Sequence, residues 1–476
     1  MSTIAHAARP YRLVSFDVWC VGLFLLVSFP TAASLLLTGR SAEPDVWVLS
    51  GLPALARSGA FAALALCARS LISVIGRPRL LFGCAVMMAV GELCRVASLT
   101  WLTGDGSVAV AAVSSIATNA GYAVLYLAWM ELYSQMDTKH VLLYFTVVHF
   151  LSALASYALY AFGTSFGAVF LVAVMPLASV AMLRKADVRT ADAPYRQGET
   201  QRTDWSISPR PIVLLVAFTF SNAIIRSFLG VEDQAIVLFG VCAASLGVLV
   251  VALMRFDRFE IRSLYQVSVP VLVAGALFVL MSDAWCGVAA ALCSNAAFTL
   301  FSVFITVVFC GIAYRYGVNA VWLFGITQAS LTFGSFAGKM LAAWGGALLF
   351  EEGTLVAPMS ALVVLLVALS MMLVSDRDFK TTWGITDRSG DGEGGSWVDE
   401  EERLVQRCAR IAQRNGLTRR EEEVLVLMMR DYTLSRIGEV LFIADSTMKT
   451  HSRHIYRKVG VQNRQELQEF VDAYRC

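Results

Sequence analysis

Charge is what this sequence has least of. Only 16% of its 476 residues are Asp, Glu, Lys or Arg, against about 25% in soluble globular domains. The deficit excludes an ordinary soluble fold for the whole chain. Paired cysteines are missing as well. None of the ten cysteines forms a CxxC pair, and eight lie in or beside apolar segments. They read as small apolar side chains in membrane helices rather than as a zinc or redox site. No metal-spaced cluster and no nucleophile motif is present. No catalytic residue, metal site or cofactor is therefore expected, and the chain does not read as an enzyme.

What is there is apolar and unevenly spread. Hydrophobic residues make up 57% of the chain, and mean hydropathy is +0.64. Long apolar runs continue to Val374, after which the chain turns polar. The net charge of +2 averages these two unlike regions. A helix needs ~20 mainly apolar residues to cross the hydrocarbon core. Twelve segments meet that test: 14–37, 46–68, 80–101, 107–130, 141–162, 165–183, 211–230, 235–254, 264–282, 286–310, 319–345 and 354–374. The first is too long for a secretory signal and is followed by eleven more, so it reads as an uncleaved span.

Lys and Arg set the orientation. Loops on the N-terminal side hold Arg9, Arg12, Arg69, Arg77, Arg79, Lys139, Arg184, Lys185, Arg189, Arg196, Arg202, Arg210, Arg255, Arg258, Arg262 and Arg315. The opposite loops hold Arg40 alone, together with acids such as Glu43, Asp105, Glu232 and Glu351. Both termini are expected in the cytoplasm and the protein in the cytoplasmic (inner) membrane. Six spans, a long basic loop over 184–210 and six more spans resemble the layout of major facilitator transporters. Only a fragment of that family's loop signature is present, at Gly76-Arg77-Pro78-Arg79.

Several ionisable residues fall inside spans, where a charge costs about 2.5–3.5 kcal/mol on insertion scales and so faces a bundle interior or wet cavity. Arg57, Glu92, Arg95, Asn119, Arg226, Asn295 and Lys339 form the candidate ligand pocket, with Asn222, Gln328 and His149 as further polar groups. The excess of basic over acidic groups suits an anionic or hydroxyl-rich small molecule. The alternative is structural: Glu92 paired with Arg57 or Arg95, and polar groups bridging helices. Gly334-Ser-Phe-Ala-Gly338-Lys339 is one residue short of a phosphate loop, is followed by Met340 and sits in a span. Its glycines fit close helix approach instead.

The domain reading is a transmembrane bundle over 1–375, a flexible linker over 376–402 and a DNA-binding domain over 403–476. The linker is polar and glycine-rich, and ~25 residues of such chain reach roughly 25–30 Å. Within the last domain, Leu417–Leu467 reads as four short helices. Thr418 and Glu421 form a capping box opening a helix with Val424, Leu425, Leu427 and Met428 as apolar positions. A helix over 434–441 places Ile437 and Leu441 inward. A turn at Phe442–Asp445 leads to a third helix at 446–459. Asn463 with Glu466 caps the last, which carries Leu467, Phe470 and Val471. Two short helices with a tight turn, the second basic, make the helix-turn-helix pattern. In the third helix Met448, Ser452, Ile455 and Val459 face the core. Ser446, Lys449, Thr450, Arg453 and Arg457 fall opposite, offering cations to phosphate and donors to base edges.

The run Leu417-Thr418-x-Arg420-Glu421-x-Glu423-Val424-Leu425, with Thr447-Met448-Lys449-Thr450-His451, Ile455-Tyr456-Arg457-Lys458, Gly460-Val461 and Arg464-Gln465-Glu466-Leu467, resembles a LuxR-type helix-turn-helix. The resemblance implies that Thr447, Lys449, Thr450, His451 and Arg453 lie at or beside double-stranded DNA. Lys458 completes the candidate set. It also implies a homodimer on DNA that uses the last helix. Four residues depart from the family pattern: Asp431, Gly438, Ala444 and Ser452. The first two stand where Gly and Ala are usual, and Ala444 removes a helix cap, typically worth about 1 kcal/mol. Ser452 replaces a core Leu. No soluble phosphoacceptor segment precedes this module, so its signal is expected to come through the bundle.

The expected fold is all-α: a twelve-span bundle in a six-plus-six, major-facilitator-like layout, plus a small four-helix LuxR-type domain. The expected function is a membrane-bound one-component transcription regulator responding to a small-molecule inducer, an activator by analogy with the family's commoner mode. The competing expectation is a major-facilitator-like transporter carrying a regulatory DNA-binding tail.

Overall fold

The computed structural model describes residues 16–37, 51–69, 73–101, 105–136, 138–162, 166–191, 205–207, 209–228, 234–254, 261–281, 284–316, 318–349, 359–364, 366–367, 385–387, 407–429, 434–441 and 445–473. Two compact units divide the chain, Met1–Ser375 and Asp376–Cys476.

Among the described residues the first unit contains the long helices α1 Leu23–Leu37, α2 Leu52–Leu66, α3 Pro78–Trp101, α4 Asp105–Ser134, α5 Thr138–Phe162, α6 Phe166–Thr190, α7 Pro209–Phe228, α8 Gln234–Met254, α9 Arg262–Val279, α10 Ala284–Tyr316 and α11 Ala320–Leu349. Each coincides with one expected span. Six are long and apolar enough to cross a membrane, and five are shorter apolar helices. Of the expected twelfth span, residues 359–364 and 366–367 are helical and the remainder lies outside the described residues. Most of the linker and the turn residues 442–444 also lie outside them, as do Asp431 and Ala444. Two three-residue strands, Trp205–Ile207 and Ile385–Asp387, were not expected.

The helix pairings repeat with an offset of six. Packing of α1 on α5, α2 on α4 and α3 on α4 recurs as α7 on α11, α8 on α10 and α9 on α10. The two sets join through α2 on α11 and α5 on α8, pairs that exchange under the same offset. This is the pattern of two structural repeats related by one axis. It places the centre of the bundle between them.

Close approach rests on small residues, as packing between membrane helices requires. A Cβ on Gly334 would stand 2.5 Å from the Val216 carbonyl oxygen, and one on Gly338 would stand 2.5 Å from that of Phe220, so α7 and α11 touch backbone to backbone. Leucine at either position is expected to lower the unfolding temperature of the detergent-solubilised protein, since overpacking costs about 1–3 kcal/mol. An unchanged melting curve for both variants contradicts this contact.

The first span differs from its expected form. It begins with a 3-10 turn, Val18–Val21, capped by the Asp17 side chain, and α1 starts only at Leu23. Gly22 marks the break, where a Cβ would lie 2.5 Å from Met182 Cβ on α6. Asp17 also pairs with Arg189 at 3.2 Å, and Lys185 sits 3.8 Å from the Trp19 ring centroid. These contacts explain why α6 runs seven residues past the expected end at 183: its basic tail packs on the 3-10 turn. Nearby, Glu131 at the end of α4 is buried. It accepts the backbone N–H groups of Val74 and Ile75 at 2.9 and 3.0 Å and the Ser73 hydroxyl, fixing the turn before α3.

The second unit has one core: Cys408, Ile411, Val424, Leu425, Met428, Ile437, Met448, Ile455, Val459, Leu467 and Val471. Four of its helices were expected and stand at Arg419–Met429, Leu434–Leu441, Asp445–Val459 and Arg464–Ala473. A fifth, over 407–414, was not expected and supplies Cys408, Ile411 and Ala412 to the interior. It ends in a Schellman turn at Gly416 (φ +63°), where Leu417 N–H reaches the Ala412 carbonyl at 2.8 Å. Gly460 (φ +83°) ends the helix Asp445–Val459 in the same way.

Candidate DNA interface and a cationic cavity

The expected capping box is formed. Thr418 N–H donates to the Glu421 carboxylate at 2.7 Å, and Glu421 N–H donates to the Thr418 hydroxyl at 3.3 Å. At the last helix Glu466 N–H donates to Asn463 Oδ1 at 2.9 Å, and Glu466 in return accepts Gln462 N–H at 2.8 Å. Two arginines then tie helices together through carbonyl ends. Arg464 donates to the Met428 carbonyl at 2.8 Å, and Arg420 donates to that of Leu441.

This frame fixes the helix Asp445–Val459 by its inward stripe. Met448, Ser452, Ile455 and Val459 are all buried. Ser452 satisfies its hydroxyl by donating to the Lys449 carbonyl at 3.1 Å. The opposite face carries Ser446, Thr447, Lys449, Thr450, Arg453 and Arg457, all exposed, with His451 half-buried beside them. Thr450 donates to the Ser446 carbonyl at 3.0 Å. Hydroxyls therefore lie toward the helix start, and cations run along its length.

Lys458 stands apart from this face. Its ammonium donates to the Glu421 carboxylate at 2.7 Å and to the Gly416 carbonyl at 3.0 Å, inside the domain. Burial pushes the Glu421 carboxyl up. The hydrogen bonds from Lys458 and Thr418, with the Lys458 charge, outweigh that and hold it below its ordinary value of 4.5. The folded domain thus binds fewer protons than the unfolded chain, and this stability is complete above the ordinary value and lost as pH falls through the folded one. Glu421→Gln in a 403–476 fragment is expected to lower the melting temperature at pH 7 and to flatten its decline on acidification. An identical pH profile for variant and parent contradicts the role given to this pair.

In the first unit a cavity of about 370 Å³ lies between the two repeats, lined by α1, α2, α4 and α5 on one side and α7, α8, α10 and α11 on the other. Of the expected pocket residues, Arg57, Arg226 and Asn295 line it. Asn119 stands behind Arg57, accepting from its Nε at 2.9 Å while donating to the Ser115 carbonyl at 2.8 Å. The Arg57 guanidinium also lies 4.4 Å from the Tyr122 ring centroid. Glu92 and Arg95 do not reach the cavity. They form a forked ion pair at 2.7 Å on α3, which selects one of the structural pairings open in the sequence. Lys339 is not a lining residue, but interacts electrostatically with Arg226 and Arg57.

The further polar groups Asn222, Gln328 and His149 also line the cavity, whereas the lining tyrosines Tyr122 and Tyr126 were not singled out in the sequence. Tyr126 accepts from Gln328 Nε2 at 2.8 Å, a bond between repeats. His149 is 8% exposed, edge-on to Phe145 at 4.8 Å, and its Nε2 has no hydrogen-bond partner among the described residues. Among the described residues, no aspartate or glutamate lines the cavity.

Residues 415–471 are a LuxR-type helix-turn-helix domain, matching the family of bacterial regulatory proteins described as "luxR family". Within it the chain is similar to the HTH-type transcriptional regulator MalT of Yersinia pestis (strain Pestoides F) and of Serratia proteamaculans (strain 568), each 46% identical over 50 residues. Those matches cover 10% of this chain and 6% of either relative. The bundle shares its fold with a bacterial homologue of the iron transporter ferroportin in the outward-facing state. With soaked iron the TM-score is 0.54 at 12% identity, covering 76% of this chain and 99% of that one. A second structure of that homologue gives 0.51 at 11%, covering 74% and 99%. The protein thus joins, in one chain, a bundle of membrane-spanning apolar helices and a LuxR-type DNA-binding domain.

Proposed function

We propose that this protein is a one-component transcription regulator of the cytoplasmic membrane. Its bundle senses a small molecule and its LuxR-type domain binds promoter DNA. One observation carries the reading: a DNA-reading module with an exposed cationic face shares its chain with a bundle that holds a polar cavity. The steep Lys and Arg asymmetry of the loops supports cytoplasmic termini, the side where DNA is. Ligand binding biases a two-state equilibrium of the bundle, and that equilibrium sets how the DNA domain is presented or paired. Binding as a homodimer and acting as an activator follow from the character of the LuxR-type module.

The test begins with the 403–476 fragment, which has its own buried core. At stated salt it is expected to bind DNA upstream of its own or neighbouring genes more tightly than random duplex. Failure to discriminate, even when fused to a dimeriser, removes the regulatory reading.

The transporter-like fold favours a second reading, a working carrier whose tail regulates its own expression. That reading predicts uptake or efflux that survives deletion of 400–476.

A further inference from the structure

We propose that the cavity takes a small organic dianion, such as a dicarboxylate, held between Arg57 of the first repeat and Arg226 of the second, with His149 contributing a hydrogen bond. Sensing by the bundle is the reading on which its biological sense rests, although the binding itself does not depend on it.

Charge is the leading argument. The two guanidinium groups come from opposite repeats, and Lys339 interacts electrostatically with both. Among the described residues no carboxylate lines the cavity to balance them, and Glu92 is paired with Arg95. Like charges gathered in a low-dielectric interior repel strongly. A monoanion leaves most of that repulsion in place, a cation adds to it, and a dianion relieves it. Arg57 is also prepared for such a role. Asn119 fixes its Nε and the Tyr122 ring supports its face, so little orientation is left to lose on binding a carboxylate.

His149 supplies the independent observation. A buried polar atom without a partner is rare, and it calls for a group that satisfies it. Its Nε2 is such an atom, on a residue that lines the same cavity. The volume of about 370 Å³ lies at the small end of ordinary ligand pockets. It suits a compact diacid rather than an extended lipid or a nucleotide. Because the anchoring cations belong to different repeats, one bound molecule engages both halves of the bundle at once.

Full-length protein purified in detergent tests this by calorimetric titration at constant ionic strength. The probes are glutarate and phthalate as dianions, butyrate and benzoate as monoanions, glutaramide as a neutral analogue and putrescine as a dication. Saturable binding of a dianion is expected, at least roughly tenfold tighter than its monoanion counterpart, since hydrogen bonds to charged groups contribute about 1.5–3 kcal/mol. Arg57→Gln and Arg226→Gln should each weaken the dianion by a similar factor and erase its advantage over the monoanion. Arg226→Lys should keep part of that advantage, which separates lost charge from misfolding. His149→Phe should weaken dianions while leaving the charge preference in place. The proposal is overturned if no dianion binds saturably, if glutaramide or putrescine binds as well, or if the glutamine variants bind dianions like the parent. A dianion that binds as expected but leaves a reporter promoter unchanged sinks the sensing reading alone. A reporter that answers another ligand class while dianions fail to bind sinks this inference alone.

Discussion

Replacing Lys449 and Arg453 together by alanine is expected to abolish sequence-selective DNA binding by the 403–476 fragment while leaving its melting temperature nearly unchanged. Both side chains are exposed on the face opposite the buried stripe Met448, Ser452, Ile455 and Val459, so neither contributes to the core. Loss of a base contact costs about 1–3 kcal/mol, and each phosphate contact adds about −0.9 to the slope of log affinity against log salt. The double variant should therefore bind weakly and with a flatter salt dependence. The matched control is Arg414→Ala/Arg419→Ala, which removes the same charge from exposed positions on other helices. If both double variants lose affinity equally, the domain is attracting DNA by net charge and the reading face is misplaced.

The second large effect lies in the bundle. Arg57→Gln or Arg226→Gln is expected to remove most of the inducer response of a promoter in cells, without changing the DNA affinity of the separate fragment. Arg95 offers the contrast. It is paired with Glu92 on α3 and does not line the cavity, so Glu92→Gln/Arg95→Gln should change stability or expression level rather than inducer concentration dependence. A normal dose response in both cavity variants contradicts the assignment of the cavity to sensing.

Much of this architecture is legible in the sequence because it is written in local patterns. Membrane helices announce themselves by length and hydropathy, which is why eleven spans coincide with α1–α11. The recognition helix is equally legible, since its inward stripe follows helical periodicity and its capping boxes are set by residues three apart. Two exceptions show the limits of local reading. The helix 407–414 has helical spacing only in Cys408, Ile411 and Ala412, too short an apolar pattern to stand out beside its charged neighbours. The 3-10 turn Val18–Val21 ends at Gly22, whose close approach to Met182 on α6 no local pattern encodes.

The sites are less legible than the fold, for a related reason. Lys458 sits among exposed cations in sequence, yet Glu421, 37 residues away, draws it into an internal ion pair. The i, i+3 spacing puts Glu92 and Arg95 on one helix face, but left Arg57 open as the other partner until the structure paired Glu92 with Arg95. Arg57 could not be matched with Asn119 in advance, because that contact depends on how α2 packs on α4, nor could His149 be placed on the same cavity as Arg226, because that depends on how the two repeats meet.

The central claim is that the bundle controls the DNA reader. Transcription from a target promoter, measured in cells given increasing external ligand, tests it most directly when the full chain is compared with the free 403–476 fragment. The account predicts a graded response with the full chain, and none with the fragment, which occupies the promoter at a constant level. A fragment that responds as the full chain does, or a full chain that accumulates labelled ligand inside cells while transcription stays flat, contradicts it.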